Sequence, residues 1–207
     1  MESYLNANPE IISMIERHQF DSQKAASILN GEDLNTPVLD SRGFSTTYLY
    51  MAVGANDLQA VRFFLEHGAD PNYYNPKLTD DFALWDLQYI DDDQDWRTRY
   101  EIGKLFFQHG ANPNVECDGE GLYDYVLYKV YNETPNNEND WENLRHLYLL
   151  LVLYGGGNDE KGYPLPVLKD VDLSKIDKYD IRFYRHEDGY HIIGELVDDK
   201  GISHGRL

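Results

Sequence analysis

The sequence predicts a mainly α fold, an α-solenoid of stacked helix pairs with a small C-terminal β-hairpin. Three observations carry that expectation. First, one helix–turn–helix unit closes at His67-Gly68-Ala69-Asp70-Pro71-Asn72, and a weaker copy closes at His109-Gly110-Ala111-Asn112-Pro113-Asn114. Copies of one supersecondary unit indicate a stack, because a single helix pair cannot bury its apolar face alone. Second, the apolar run from Leu147 to Tyr154 is too short to span a bilayer and reads as a buried helix. Third, from Lys178 onward the apolar spacing changes from helical to alternating, and Asp188-Gly189 separates two such runs, which signals a hairpin.

The elements come in order. Pro9 to Gln19 forms a first helix with Pro9 in its first turn, where the missing N–H costs nothing. Ser22 to Asn35 repeats the order of helix, Gly and Asn. This first pair reads as a polar cap, since the end of a stack must shield the core. Thr47 caps the next helix, and Ala52 is small enough for close packing. Asn56-Asp57 breaks the chain, because Asn tolerates the left-handed conformation and Asp caps the next helix. Leu58, Val61, Phe64 and Leu65 share one helical face. Gly68 ends that helix without a Cβ penalty, and Asn72 is expected to hold the turn after it through nearby backbone.

A third pair begins at Phe82-Ala83-Leu84 and carries a longer connection than the second. A fourth begins at Gly119 and closes at Tyr154 to Asn158, with an insertion from Asn132 to Asp140. The array thus spans residues 1–160, and residues 161–207 form an extension. In its hairpin a two-residue turn sets Arg182 opposite Glu195 and His186 opposite His191. A lone hairpin is marginal in water, so it should pack on the last helix pair and cap the array.

Composition narrows the partners. The 207 residues hold 18 basic and 37 acidic side chains, a net charge of -19. Such a surface repels phosphate backbones and anionic membranes, so no nucleic acid or membrane partner is expected. Cys117 is the single cysteine, which excludes an internal disulfide and a cysteine zinc site and fits a reducing compartment. With no basic-then-apolar leader visible, a cytoplasmic location is expected.

No catalytic chemistry emerges, and no cofactor is expected. Nucleophile, phosphate-loop and metalloprotease motifs are absent from the sequence. Asp91-Asp92-Asp93-Gln94-Asp95 lacks the Gly and distal Glu of a calcium loop and reads as a solvated acid run. Cys117 stands beside Asp118, whose charge disfavours a thiolate. His67 and His109 recur before Gly, near a helix C-terminus that favours an imidazolium. His186 and His191, with His204 as a third ligand, leave open a metal-binding or regulatory role for the hairpin.

The order Thr47, Leu49, Ala52, Val61, Leu65, Gly68, Ala69, Asp70, Asn72 resembles the ankyrin repeat. Tyr48, Tyr50 and Asn56 stand where that pattern has Pro, His and Gly. The resemblance implies stacked ankyrin-like helix pairs whose fingers and first helices line a concave face that holds protein partners. Carried onto this chain, the fingers are Ser41-Arg42-Gly43-Phe44, Thr79-Asp80-Asp81 and Cys117-Asp118-Gly119-Glu120. The inner-helix positions are Tyr50, Trp85, Tyr89, Asp124 and Tyr128. Arg42, Phe44, Tyr50, Asp80, Asp81, Trp85, Tyr89, Asp118, Glu120, Asp124 and Tyr128 are therefore the expected partner-binding set.

Aromatic side chains give contact area at low entropy cost, and the surrounding acids select a basic protein partner. The same aromatics could instead pack between repeats. The expected role is a non-enzymatic binding scaffold, monomeric when free. Short divergent chains of this kind resemble bacterial members of the family, and one version is an immunity protein that occludes a basic toxin. A structural self-assembly role also remains open.

Overall fold

The structure is a computed structural model, and it describes residues 5–74, 83–117, 119–132, 137–157, 166, 168–185 and 192–207. The chain forms two compact units, Met1–Asn112 and Pro113–Leu207.

The first unit runs β1 (Leu5–Asn6), α1 (Pro9–Glu16), α2 (Ser22–Ile28), β2 (Val38–Leu39), β3 (Ser45–Thr46), α3 (Tyr48–Gly54), α4 (Leu58–Glu66), α5 (Ala83–Asp86) and α6 (Trp96–Gln108). Helix α3 packs against α1, α4 and α5, while α4 packs against α2, α3 and α6. Three helix pairs are thus layered, with α1, α3 and α5 on one side and α2, α4 and α6 on the other.

Local chemistry sets each boundary. Asn8 Oδ1 accepts from Glu10 N at 2.9 Å and caps α1 over Pro9. That helix stops at Glu16, short of the expected Gln19, because His18 takes a φ of 51° and turns the chain toward α2. Only Ala25 is buried in α2, so this pair presents a polar outer side, as a terminal repeat must.

Thr47 Oγ1 accepts from Tyr50 N at 3.1 Å, which starts α3. Asn56 adopts the expected left-handed φ of 55°. Asp57 Oδ1 then caps α4, accepting from Gln59 N at 3.1 Å and Ala60 N at 3.0 Å. Phe64 is fully buried, with the Phe20, Tyr48 and Phe63 rings at centroid distances of 5.5, 5.8 and 5.4 Å. Removing such a ring from water contributes about 1.5–3 kcal/mol.

One pair of bonds recurs at successive repeat ends. Asn35 donates to Gly68 O at 3.3 Å and accepts from Asp70 N at 2.7 Å. Asn72 donates to Gly110 O at 3.0 Å and accepts from Asn112 N at 2.7 Å. In the second unit Asn114 donates to Gly155 O at 3.4 Å and accepts from Gly157 N at 2.9 Å. This corrects the expected role of Asn72. Its own turn is held by Asp70 Oδ1, which accepts from Asn72 N at 2.8 Å, leaving the Asn72 amide to clamp the next repeat.

The second unit runs β4 (Glu116–Cys117), β5 (Glu120–Gly121), α7 (Leu122–Asn132), α8 (Glu138–Leu153), a 3-10 turn (Leu173–Lys178), β6 (Tyr179–Arg185), β7 (Ile192–Asp198) and β8 (Ser203–Arg206). Leu147 to Leu153 are buried in α8, as the apolar run requires. Among the described residues no helix is long and apolar enough to cross a membrane.

The tail is a three-stranded antiparallel sheet ordered β6-β7-β8, which corrects the expectation of a hairpin alone. The third strand, Ser203-His204-Gly205-Arg206, has no apolar alternation to announce it. Arg182 does pair with Glu195, while the His186–His191 pairing lies outside the described residues. The sheet packs on the last helix pair. Phe183 meets Tyr131 at 5.6 Å and Trp141 at 5.8 Å between ring centroids. Arg145 on α8 bridges to Asp180 on β6.

Candidate protein-binding surfaces

In the first unit, a finger joins β2 to β3 and is wound around one carboxylate. Asp40 Oδ1 accepts from the backbone N–H of Arg42 and of Phe44, each at 2.9 Å. Its Oδ2 accepts from Arg42 Nε at 3.0 Å and Nη2 at 2.9 Å. Gly43 takes a φ of 85° at the tip, a value at which a Cβ would be strained. Burial pushes the Asp40 carboxyl up, but the Phe44 and Arg42 N–H groups and the Arg42 guanidinium outweigh it and hold the carboxyl below 3.8.

The guanidinium so fixed lies 5.4 Å from the Phe44 ring centroid. That ring is 65% exposed. The finger thus holds a large apolar group in water on a hydrogen-bonded support. Tyr50 is half-buried on α3. Tyr89 is 48% exposed but stands beyond α5, in the turn closed by its N–H on Asp86 O at 3.0 Å, and not on the inner helix as expected.

Trp85 is corrected out of the binding set. It is 6% exposed and, like Ala83 and Leu84, buried on α5, so its ring is not available to a partner. Asp80 and Asp81 lie outside the described residues.

The acid run after Tyr89 is exposed at Asp91, Asp92, Asp93 and Asp95. Behind it sits a group outside the expected set. Arg99 is 3% exposed, and burial pulls its guanidinium below its ordinary value against the opposing charges of Asp86 and Asp91. A signal for it stands in the chain: Arg99 shares an i, i+3, i+4, i+7 stripe with Ile102, Gly103 and Phe106, all buried. A cation on an apolar stripe calls for a partner.

In the second unit, β4 and β5 form another finger, with buried Cys117 opposite exposed Glu120. Asp118 lies outside the described residues. Asp124, partly buried, is in the first turn of α7, where the helix N-terminus favours an anion. A Cβ at Gly121 would come 3.1 Å from Asp124 Oδ2, so glycine there makes room for the carboxylate. Tyr128 lies one turn further along the same face and is 57% exposed.

Beneath this surface, Tyr148 is fully buried beside Tyr123 and Tyr131, with ring centroids at 5.8 and 6.2 Å. Burial pushes the Tyr131 hydroxyl up to about 12 and raises those of Tyr123 and Tyr148. Of the three candidate metal ligands, His186 and His191 lie outside the described residues. His204 has Nδ1 3.0 Å from Lys169 O and Nε2 3.4 Å from Asp198 Oδ2.

Residues 46–76 match the family model of the ankyrin repeat. A comparison of the chain with curated proteins gives no match. The matched stretch holds α3, α4, the Asp57 cap, the Gly68 stop and the Asn72 clamp. Repeats of this family generally mediate protein–protein interaction and are typically non-enzymatic. Over residues 46–76, and in the helix pair those residues build, the chain is similar to an ankyrin repeat.

Proposed function

We propose that this protein is a non-enzymatic scaffold that binds a basic protein through exposed aromatic groups set among carboxylates. The carrying observation is the exposure of Phe44 and Tyr89 in the first unit and Tyr128 in the second, on a chain of net charge -19. Aromatic anchors held by ordered backbone lose little entropy on binding. Exposed acids nearby steer a basic partner and speed its approach. Occlusion of a basic toxin by an immunity protein is one form such binding takes.

Affinity capture from the source lysate, with elution by salt, tests this reading. The expected result is a protein with a basic surface, released as salt rises and lost on Phe44→Ala. An acidic partner, or one held equally well at high salt, would overturn it.

A further inference from the structure

The chain holds a single Asn-Gly pair, Asn30-Gly31. An asparagine in this setting is open to attack on its side-chain amide carbon by the backbone nitrogen of the next residue. Glycine has no Cβ to shield that nitrogen or to restrict the turn. The local structure leaves the pair accessible. Asn30 and Gly31 are both exposed, in the turn that follows α2. Gly31 takes a φ of 79°, and a Cβ built there would meet nothing within 4 Å.

The other repeat ends differ in two respects. Gly68, Gly110 and Gly155 donate their N–H to Leu65 O, Phe107 O and Val152 O at 3.3, 3.1 and 3.2 Å. The Gly31 N–H makes no such bond among the described residues, so its nitrogen is not tied to a carbonyl. The residues before those three glycines are His67, His109 and Tyr154, none of which carries a side-chain amide. The turn at Asn30 is closed by the bond from Glu32 N to Leu29 O at 3.0 Å.

The chemistry balances with water as the co-reactant. Gly31 N bonds to Asn30 Cγ and gives up its proton, and the side-chain nitrogen leaves as ammonia, which closes a cyclic succinimide. Water then opens the ring at either carbonyl. One opening leaves Asp in the ordinary backbone. The other routes the main chain through the side chain and leaves isoaspartate, longer by a methylene. Either product sets a new negative charge beyond the C-terminus of α2, where the helix dipole disfavours it, close in sequence to Glu32 and Asp33.

We propose that Asn30-Gly31 is a self-modifying site, and that its isoaspartyl product loosens the Asn35 clamp on the second helix pair. Leu29 and Leu34 are buried on either side of the turn and pin its ends. The added length is taken up between them, directly before Asn35. That residue holds Gly68 O and Asp70 N across the repeat boundary.

Ageing of the full-length chain in warm, mildly alkaline heavy-oxygen water tests both parts. Peptide mapping by mass spectrometry should show ammonia lost and a solvent oxygen gained at Asn30, at least ~10-fold faster than at any other asparagine. Asn30→Gln, whose longer side chain closes the ring poorly, should stay unlabelled. In the isoaspartyl fraction the Asp70 amide should exchange at least ~3-fold faster while the Phe64 amide keeps its protection. Freshly purified Asn30→Asp, which carries the charge without the methylene, should exchange like the parent chain. Labelling of Asn30 no faster than of other asparagines would overturn the modification site. An unchanged Asp70 amide in the isoaspartyl fraction would overturn the link to the clamp. Loosening in fresh Asn30→Asp would overturn the part given to chain length.

Discussion

The two units end their repeats in the same way and cover their helices differently. In each, an asparagine amide clamps the turn of the next helix pair, through Asn35 and Asn72 in one unit and Asn114 in the other. Yet α4 is flanked by α2 and α6, while α8 is covered by α7 and the strand β6. The first unit packs tilted and edge-on phenylalanines around Phe64, the second a tyrosine cluster around Tyr148. An apolar helix face demands a cover, and a helix or a sheet meets the demand equally well.

Cutting into the two cores is the most severe way to break this comparison. Phe64→Ala should destabilise the first unit by about 3–5 kcal/mol, because three neighbouring rings cannot all collapse into the space. Urea unfolding monitored by circular dichroism measures this. A loss under about 1 kcal/mol would mean that the ring cluster relaxes around the gap.

Alkali should distinguish the units next. Folded tyrosines with raised pKa values stay neutral where unfolded ones ionise. Their contribution is full below pH 10 and is lost as pH rises from 10 toward the Tyr131 value of about 12. The effect weighs on the second unit, where burial raises Tyr123, Tyr131 and Tyr148, while in the first it raises Tyr48. Tyrosine absorbance titration should show late-ionising groups, and Tyr131→Phe should remove one of them. Titration of every tyrosine near 10 would refute the assignment.

The clamps should sharpen the likeness. Asn72→Ala leaves Gly110 O and Asn112 N without their bonds and should cost about 1–3 kcal/mol. Asn114→Ala should cost less, since its bond to Gly155 O is longer at 3.4 Å. Equal or reversed losses in urea titrations would break that ranking.

The smallest effect belongs to the surface. Phe44→Ala, at an exposed site, should change stability by less than about 0.5 kcal/mol. Partner capture should nevertheless fail in that variant. A large stability loss would recast Phe44 as part of the finger's own structure.

Local chemistry was legible in the chain. The Thr47 and Asp57 caps, the left-handed Asn56 and the Gly68 stop depend on neighbours a few residues away, while the buried apolar run and the Arg182–Glu195 register follow from hydrophobic and strand patterning. Preferred backbone or spacing therefore announced them. Of the candidate site, Phe44, Glu120 and Tyr128 are exposed, whereas the repeat pattern by itself left the aromatics open between partner contact and packing between repeats. The burial of Trp85 was not legible either, because a large ring at a surface-facing register is buried or exposed according to what packs over it.

What the tertiary structure alone decided lies at long range. Asn72 reaches a turn 38–40 residues away, Arg99 bonds a carbonyl 46 residues back, and a polar third strand completes the tail sheet. Residue type fixes which bonds a side chain is able to make. Which partner receives them depends on which turns the fold brings within about 3 Å, and no local pattern encodes that.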